Sequence, residues 1–443
     1  MTLLPILTSG QAKTTILHRK PLGDAGLSPA LAAGIERVFG EAIDPEAAVR
    51  RVLADVRARG DAAVQEWTHR IDGFALAGFA VDPAEIEAAY DSLDPDLRQA
   101  LHFSADRIRA FHEKQPASNW LDWRPAGGAL GQIIRPLERV GVYAPGGTAP
   151  YPSTLLMCAV TARVAGVEEV VVTTPAGREN RIAPVLLAAA KVAEVNEVYR
   201  LGGAQAIGAL AYGTETIRRV DKIVGPGNIF VVLAKRQVYG LVDIDGLPGP
   251  TETLIIADEA ANARLVAADL LAQAEHDILA SAILITPSRP LAEAVQAEIG
   301  RQLESLERAE IIAGSLQNQG GAVLCAGLDE AVDLSNLYAP EHLCLHVADP
   351  WALVGKIRHA GGIFLGEHSY EVLGDYAAGP THVMPTMGTA RFASPLSVRD
   401  FTKIISLFGL DATEAAALGP TAQKLALAEG LTAHARAVEY RQP

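Results

Sequence analysis

The chain has 443 residues, of which 49% are hydrophobic and 20% are charged, so it can bury a sizeable core and is not generally disordered. Its 52 acidic and 38 basic residues give a net charge of −14, which disfavours nucleic acid as the main partner because phosphate binding needs a basic face. The length corresponds to roughly three domains on the usual prior.

The start of the chain and the spacing of its cysteines predict a protein of a reducing compartment. The chain starts without a basic region followed by a long apolar core, so no signal peptide is predicted, and no window reaches 18 apolar residues. Cys158, Cys325 and Cys344 lie far apart and form no Cys-x-x-Cys motif, which predicts buried thiols rather than disulfides. We therefore expect a cytoplasmic protein without a membrane span.

Residues 28–115 are predicted to form a helical flank. Proline follows aspartate at Asp44, Asp82 and Asp94, and this pair is typical of a helix start because aspartate caps the helix and proline suits its first turn. No catalytic motif lies in the flank. We expect it to pack on one of the two α/β units that follow.

The pattern from residue 140 onwards alternates strand, turn and helix, which predicts parallel sheets covered by helices on both faces. In the first set the predicted strands lie at 140–143, 169–173, 197–201 and 222–224. In the second set they lie at 253–256, 282–285, 322–325, 343–347 and 363–365. The sequence therefore predicts an α/β fold with two Rossmann-like parallel-sheet units.

The last stretch, 397–443, is predicted to be helical, with Ser397 and Asp411 as N-caps and Gly430 as a helix stop. A helical tail of this length has to dock somewhere, and a second subunit is one option. The domain division that we predict is an N-terminal extension (1–40), a first α/β unit (41–139 with 253–388), a second α/β unit (140–252) and a C-terminal helical tail (389–443).

Glu341 and His342 stand side by side after Pro340 and are the first candidates for chemistry. The proline is predicted to end a helix and a strand follows, so the pair lies on a loop at a strand edge, where side chains can converge on a substrate. A carboxylate beside an imidazole can activate water and take a hydroxyl proton near neutral pH. On its own the pair is more simply explained as a turn with two ordinary polar residues, and the rest of the chain decides.

Gln273 and His276 lie three residues apart near the end of a predicted helix, so they share one face and could hold a metal ion. Asp375, on a predicted loop, and His434, in the tail, could complete a set of nitrogen and oxygen ligands that suits zinc. Each of these residues alone is more often structural, because glutamine is an infrequent ligand and loop aspartates and surface histidines are common.

Three glycine turns follow predicted strands and precede helices, at 145–147, 202–205 and 225–228. The N–H groups at such a helix start favour an anion such as a phosphate. None of the turns is a Gly-x-Gly-x-x-Gly fingerprint or a Walker loop, so they indicate the ligand edge of an α/β sheet without naming a dinucleotide. Tight turns without a ligand are an equal alternative. The chain has no Gly-x-Ser-x-Gly elbow, so a hydrolase of that class is not indicated.

Nine motifs, in order along the chain, resemble those of the histidinol dehydrogenases. They are Val-Gly-Val-Tyr-Ala-Pro-Gly-Gly (140–147), Gly-Gly-Ala-Gln-Ala-Ile (202–207), Val-Gly-Pro-Gly-Asn (224–228), Gly-Pro-Thr-Glu (249–252), Gln-Ala-Glu-His (273–276), Ala-Pro-Glu-His-Leu (339–343), Gly-Asp-Tyr (374–376), His-Val-Met-Pro-Thr (382–386) and Leu-Thr-Ala-His (431–434). The resemblance implies a zinc-dependent and NAD-dependent enzyme that oxidises L-histidinol to L-histidine by four electrons. The reaction passes through bound L-histidinaldehyde and forms the last two steps of histidine biosynthesis.

The resemblance also assigns roles to residues. It implies four zinc ligands, which are Gln273, His276, Asp375 and His434. It implies NAD contacts at Tyr143, Gln205 and Asn228. It implies substrate contacts at Thr251, His342 and Glu429 together with the zinc ligands.

The acid–base couple of the family falls on Glu341 and His342. His342 is expected to take the hydroxyl proton, and Glu341 is expected to activate water for the second oxidation. His434 and Glu429 are expected to come from the partner subunit of a homodimer, which would account for the long tail.

Two positions depart from the family pattern. Thr251 stands where most relatives carry serine, which predicts a tighter pocket, and Asp277 follows a zinc ligand where a small residue is common. The closest alternative is a paralogue that oxidises another small alcohol, such as a sulfonated diol, although acidic Glu429 suits the cationic amine of histidinol and would repel a sulfonate. A zinc hydrolase and a non-catalytic metal-binding homologue are further alternatives.

Overall fold

The computed structural model describes residues 3–19, 29–73, 75–76, 78–116, 118–125, 127–146, 150–177 and 180–442. In this part of the chain the polypeptide forms sheets of six, five and three strands, and helices cover the first two sheets. Every pair in the two larger sheets is parallel. The predicted α/β fold with two Rossmann-like units is therefore confirmed.

The strands are β1 (Ile6–Thr8), β2 (Trp120–Trp123), β3 (Gly128–Pro136), β4 (Arg139–Tyr143), β5 (Glu169–Thr174), β6 (Glu197–Arg200), β7 (Lys222–Val224), β8 (Asp243–Ile244), β9 (Glu252–Ala257), β10 (Ser281–Thr286), β11 (Gly321–Leu324), β12 (His342–His346), β13 (Gly362–Leu365) and β14 (Thr402–Leu410). The helices are α1 (Ser9–Thr14), α2 (Pro29–Phe39), α3 (Pro45–Arg59), α4 (Asp61–Asp72), α5 (Pro83–Ser92), α6 (Pro95–His112), α7 (Pro152–Val164), α8 (Pro184–Val192), α9 (Gly203–Tyr212), α10 (Ile229–Val238), α11 (Ala263–Ala274), α12 (Arg289–Leu303), α13 (Ala309–Gln319), α14 (Leu328–Tyr338), α15 (Trp351–Val354), α16 (Glu371–Tyr376), α17 (Ala412–Ala428) and α18 (Thr432–Glu439).

The six-stranded sheet has the order β1–β11–β10–β9–β12–β13. Its central strands are apolar runs buried on both faces, as expected of a parallel sheet between layers of helices. The edge strand β1 comes from the predicted N-terminal extension, so this segment is an integral part of the sheet. In the register of β9 and β12, Thr253 lies opposite His342, which brings the starts of these two strands together.

The five-stranded sheet has the order β6–β5–β4–β7–β8. The turns that leave β4, β6 and β7 are the predicted glycine turns, and helices α7, α9 and α10 follow them. Because the carboxyl ends of parallel strands meet at one edge, these turns share one edge of the sheet. Gly225 has a φ of +105°, and a Cβ there would collide with the carbonyl oxygen of Tyr143, so only glycine fits. Gly147 lies outside the described residues.

The helical flank packs on the five-stranded sheet. Helices α3 and α4 share a buried cluster with α9 and α10, and α5 and α6 share another with α7 and α8. This packing differs from the predicted domain division, which joined 41–139 to 253–388. A helix pattern shows which face is apolar but not which sheet will cover it. The predicted helix starts are confirmed, since Asp44, Asp82 and Asp94 each cap a helix through a side-chain oxygen.

The buried face of α6 is expected to contribute strongly to stability. Leu101 is 6% exposed and lies in the core, whereas Leu97, one turn earlier, is 40% exposed. We expect Leu101→Ala to lower the free energy of unfolding by about 2–5 kcal/mol because it leaves a cavity. The matched variant Leu97→Ala is expected to lower it by less than about 1 kcal/mol. Urea unfolding measures both, and equal losses would contradict this assignment of the buried face.

The C-terminal tail contains a strand where the sequence predicted helix. β14 pairs antiparallel with β3, which also pairs with β2, so the predicted helix is wrong for residues 402–410. Ser397 does cap a helix, as predicted, but only the short 3-10 helix Val398–Phe401. The partner strand lies far earlier in the chain, so no local pattern announces the pairing. Asp411 does cap α17, and Gly430 follows its end with a φ of +75°, as predicted. Helices α17 and α18 pack on each other.

Two further structural features bear on the predicted setting. Within the described ranges, each helix is too short or too polar to cross a lipid bilayer. All three cysteines are free, with Cys158 and Cys344 buried and Cys325 half-buried. Burial raises the pKa of the Cys325 thiol, which keeps it protonated at neutral pH.

Candidate active site

Glu341 and His342 occupy the start of β12. Helix α14 ends at Tyr338, Ala339 adopts a left-handed conformation with a φ of +54°, and Pro340 leads the chain into the strand. His342 is the first residue of β12, so only Glu341 lies on the predicted loop. Both side chains are buried, with relative exposures of 3% for His342 and 6% for Glu341. The two groups therefore meet in a place that excludes most water.

The carboxyl group of Glu341 is held by two donors. Its Oε2 accepts hydrogen bonds from Thr251 Oγ1 at 2.6 Å and from the backbone N–H of Glu252 at 3.0 Å. Burial raises the pKa of Glu341 to about 7, against the opposing effects of His342 and the Thr251 hydroxyl. A carboxyl group with this pKa can take and return a proton near neutral pH.

The imidazole of His342 is fixed through one ring nitrogen. Its Nδ1 lies 3.2 Å from the carbonyl oxygen of Glu252 and 3.6 Å from Glu341 Oε2. A carbonyl can only accept a hydrogen bond, so Nδ1 carries the proton and Nε2 carries the lone pair in the neutral ring. In the described part of the chain this buried Nε2 has no hydrogen-bond partner. His342 can therefore act as a base through Nε2.

Glu371 completes the surroundings of His342, and the sequence analysis did not single it out. Its Oε1 lies 3.7 Å from His342 Nδ1, and its other oxygen accepts a hydrogen bond from the Thr253 hydroxyl. Burial, and next the charge of Asp375, raise the pKa of Glu371 well above its ordinary value. The signal that could have found it is its position one helical turn before Asp375.

Gln273, His276 and Asp375 are three of the residues predicted to bind a metal ion. Gln273 is 1% exposed, and neither polar atom of its side chain has a hydrogen-bond partner among the described residues. Burial lowers the pKa of His276, and the charges of Asp375 and His342 also act on its ring, so His276 lies near both of these side chains. Asp375 lies in the short helix α16 rather than on the predicted loop, because six residues are too few for periodicity to reveal a helix.

His382 is a second residue of the site to which the sequence analysis assigned no role. Its Nε2 lies 3.1 Å from Thr154 Oγ1, and its Nδ1 lies 2.9 Å from the backbone oxygen of Asp375. Burial lowers the pKa of His382, and the charges of Asp375, His342 and His276 also act on it. The signal was present, since His382 opens one of the nine motifs.

Glu429 and His434 do not join this group within one chain. Both side chains are exposed, Glu429 just after α17 and His434 on α18. In the described range 415–442, every side-chain hydrogen bond and ion pair stays within the tail. No group of three or more His, Cys, Asp or Glu side chains in the described residues is placed to hold a metal ion.

Tyr143, Gln205 and Asn228 lie at the glycine-turn edge of the five-stranded sheet. Gln205 is fully buried at the start of α9, and neither polar atom of its carboxamide has a partner among the described residues. The Tyr143 hydroxyl accepts a hydrogen bond from the Gly203 N–H at 3.1 Å. Asn228 is exposed and caps α10, its Oδ1 accepting from two backbone N–H groups.

A buried ion pair holds the turn that carries Asn228. Lys235 is fully buried and donates to the carbonyl oxygen of Gly225 at 3.0 Å and to Asp245. The other oxygen of Asp245 accepts from the Gly225 N–H at 2.7 Å. Both polar groups of the Gly225 peptide are therefore satisfied, and the turn is rigid where a ligand would approach it.

Comparisons with known proteins agree on one family. The family model described as "Histidinol dehydrogenase" matches residues 38–442. A histidinol dehydrogenase of Deinococcus radiodurans is 54% identical over 432 residues, which is 97% of each chain. One of Moorella thermoacetica is 54% identical over 398 residues, covering 89% of this chain and 94% of the relative. The crystal structure of histidinol dehydrogenase from Elizabethkingia anophelis superimposes with a TM-score of 0.90 at 34% identity, covering 100% of this chain and 98% of that one.

Proposed function

The chain belongs to the histidinol dehydrogenase family and is an oxidoreductase, and from this premise we propose that it oxidises L-histidinol to L-histidine with NAD. Four electrons leave in two hydride transfers, and L-histidinaldehyde stays bound to the enzyme between the two transfers. The two oxidations are the last two steps of histidine biosynthesis. The observation that carries the proposal is the buried Glu341–His342 couple, which combines a base nitrogen without a partner in the described residues with a carboxyl group whose pKa is about 7.

His342 and Glu341 divide the proton transfers. In the first step His342 Nε2 takes the hydroxyl proton while a hydride leaves the same carbon for NAD, which gives the aldehyde, NADH and one proton. In the second step Glu341 removes a proton from water as it adds to the aldehyde carbon. A second hydride then leaves the hydrate for another NAD, and histidine results. Retaining the aldehyde protects it from free amines.

The residues at the proposed zinc site fit the metal. Gln273 has a buried carboxamide that no described residue satisfies, and the charge of Asp375 acts on the ring of His276, three residues after Gln273. With His434 of a partner subunit they would supply the nitrogen and oxygen donors that zinc accepts. When bound, zinc supplies a redox-inactive positive charge that orients the imidazole and amine of the substrate. Burial lowers the pKa of His276, which keeps its ring neutral and suited to ligation.

The edge of the five-stranded sheet fits NAD. The buried carboxamide of Gln205 lacks a hydrogen-bond partner among the described residues, which is expected of a group that bonds to a ligand. Helices α9 and α10 begin at this edge, and their N-termini favour the phosphates of a dinucleotide. Tyr143, Gln205 and Asn228 are the proposed contacts, on a scaffold that the Lys235–Asp245 pair makes rigid.

A homodimer completes the proposed site. Leu425 and Leu427 on α17 and Phe408 on β14 are exposed at 61%, 53% and 78%, and a second subunit would cover apolar groups of this kind. The dimer would bring His434 to the zinc and Glu429 to the substrate amine. The free cysteines suit the reducing cytoplasm in which we place the enzyme.

The two departures from the family pattern are compatible with histidinol. Thr251 keeps the hydroxyl function, because its Oγ1 donates to Glu341 at 2.6 Å. Asp277 is exposed and accepts a hydrogen bond from the Leu279 N–H at 2.8 Å, so its carboxylate stabilises the turn in which it lies. Neither residue argues for a different substrate.

The proposed function is tested by counting products of the purified, zinc-loaded protein supplied with L-histidinol and NAD. We expect two NADH for each histidine, because two hydrides leave the substrate. A count of one would contradict the four-electron reaction. NADH formation with a sulfonated diol but not with histidinol would indicate a paralogue, and zinc-dependent hydrolysis without NADH would indicate a hydrolase.

A further inference from the structure

We propose that Arg19, in the N-terminal segment, is a positioning residue that holds the Glu341–His342 couple in place through Glu252. The inference rests on the proposed function, since it assigns Arg19 a part in that reaction. Arg19 lies before residue 38, where the family match begins. It touches neither Glu341 nor His342 by a hydrogen bond or an ion pair, so its effect has to be transmitted.

The backbone of Glu252 contacts both Glu341 and His342. Its N–H donates to Glu341 Oε2 at 3.0 Å, and its carbonyl oxygen lies 3.2 Å from His342 Nδ1. It is the first residue of β9, beside β12 in the sheet. A rotation of the Glu252 backbone would therefore displace the carboxyl group and the imidazole together.

Arg19 fixes the side chain of Glu252. The guanidinium donates one N–H to Glu252 Oε1 and another to Oε2 at 2.7 Å, a two-point contact that fixes direction as well as distance. Glu252 is 3% exposed, and a buried carboxylate needs a compensating charge. Among the described residues, Arg19 is the basic side chain that forms an ion pair with it. The Met387 N–H also donates to this carboxylate, at 2.8 Å.

The same guanidinium also binds the chain segment that immediately precedes Glu341. Its Nε and Nη2 donate to the carbonyl oxygen of Tyr338 at 3.0 and 2.8 Å, and Nη2 lies 3.4 Å from that of Ala339. The group also stacks 3.5 Å from the centroid of the Tyr338 ring. These carbonyls close α14, immediately before Pro340 and Glu341, and a cation at a helix C-terminus is favourable. Arg19 therefore joins the end of α14 to the start of β9.

The groups that face Glu341 show what loss of Arg19 would do. They are the imidazole of His342, the hydroxyl of Thr251 and the carboxylate and N–H of Glu252. The charge of Glu252 favours the protonated form of Glu341, and Arg19 compensates this charge. Without Arg19 the couple would be less well placed, and Glu341 would lose its proton only at a higher pH.

The experiment compares Arg19→Met with the matched variant Arg391→Met. Arg391 donates to the carbonyl oxygens of Asn336 and Leu337 at 2.8 Å each, at the same end of α14, but has no bond to Glu252. We expect Arg19→Met to lower kcat by about 10- to 100-fold, since small displacements of catalytic groups have effects of this size. The KM for NAD is expected to stay unchanged, and the acid limb of the pH profile to move to higher pH. Arg391→Met is expected to keep both kcat and the pH profile.

Arg19→Lys keeps the inference testable if Arg19→Met does not fold. Lysine retains the charge but not the planar fork, so kcat is expected to fall about tenfold while the acid limb stays at its wild-type position. Wild-type kcat in both Arg19 variants, or changes that Arg391→Met reproduces, would overturn the inference while leaving the proposed function intact. A wild-type enzyme that forms no NADH from histidinol would overturn the proposed function and with it the role of Arg19.

Discussion

Replacement of Glu341 by glutamine is expected to lower the rate of histidine formation from the bound aldehyde by about 10²- to 10⁴-fold, the usual contribution of a general base. Glutamine has almost the same shape and can keep contacts with Thr251 and the Glu252 N–H, but it cannot take a proton. The first oxidation needs a base at the hydroxyl, and the proposed base is His342. It is therefore expected to lose much less than the second oxidation.

The measurement separates the two half-reactions. NADH formation from histidinol in the first turnover reports the alcohol step, and oxidation of supplied histidinaldehyde reports the hydration-linked step. Thr251→Ser is the control, because serine keeps the hydroxyl that donates to Glu341 and is expected to leave both steps near wild type. An equal loss in both half-reactions of Glu341→Gln would exclude the proposed division of roles.

The pH dependence of the second step follows from the same carboxyl group. Burial raises the pKa of Glu341 from its ordinary 4.5 to about 7, so the group is mostly protonated below pH 7 and mostly ionised above it. Only the ionised form can take a proton from water. The rate of aldehyde oxidation is therefore expected to rise as the pH increases through about 7, and Glu341→Gln is expected to lose this limb.

The local parts of the fold were predictable from the sequence. Apolar runs such as 169–173 and 282–285, each followed by a turn and a helical stretch, give nearly the bounds of β5 and β10. The aspartate–proline pairs marked three helix starts because capping depends on neighbouring residues alone. Apolar periodicity and helix capping depend on residues that are close together in the chain, so both can be recognised in a single sequence.

The parts that the sequence missed depend on pairs of distant segments. The run 402–410 pairs with β3, and nothing near residue 402 records that partner. The association of α3 to α6 with the five-stranded sheet is of the same kind, because an apolar helix face fits either sheet. Long-range pairing is decided by the whole core, so local patterns alone leave it open.

The site divides in the same way. Glu341 and His342 are adjacent in sequence, and Gln273 and His276 share a helix face, so each pair was visible as a candidate for chemistry. Glu371 and Arg19 become meaningful only when folding brings them to His342 and Glu252 from distant parts of the chain. The assignment of roles came from the ordered set of motifs, because any single motif also has an ordinary structural explanation.

Replacement of His434 by alanine is expected to reduce the zinc content and to lower NADH formation by about 100-fold or more, because even residues that only support a ligand contribute 10- to 100-fold. His434 is exposed on α18, and in the proposed homodimer it would bind the zinc of the partner subunit. Arg436→Ala, on the same helix, is the control and is expected to retain zinc and activity. Zinc content is measured by elemental analysis of the purified variants.

Mixed dimers distinguish a ligand that crosses between subunits from one that serves its own chain. In a dimer of one His434→Ala subunit and one Glu341→Gln subunit, a crossing His434 leaves one site with both changes and the other with none. Such dimers, purified through two different tags, are expected to show about half of the wild-type activity, because the symmetric dimer has two equivalent sites. The activity measured is histidine formation, which both parent variants are expected to lose almost entirely. If His434 served its own chain, each site would carry one change and the mixed dimers would form histidine as slowly as the parents. Recovery of histidine formation in the mixed dimers therefore requires that the tail of one subunit complete the site of the other.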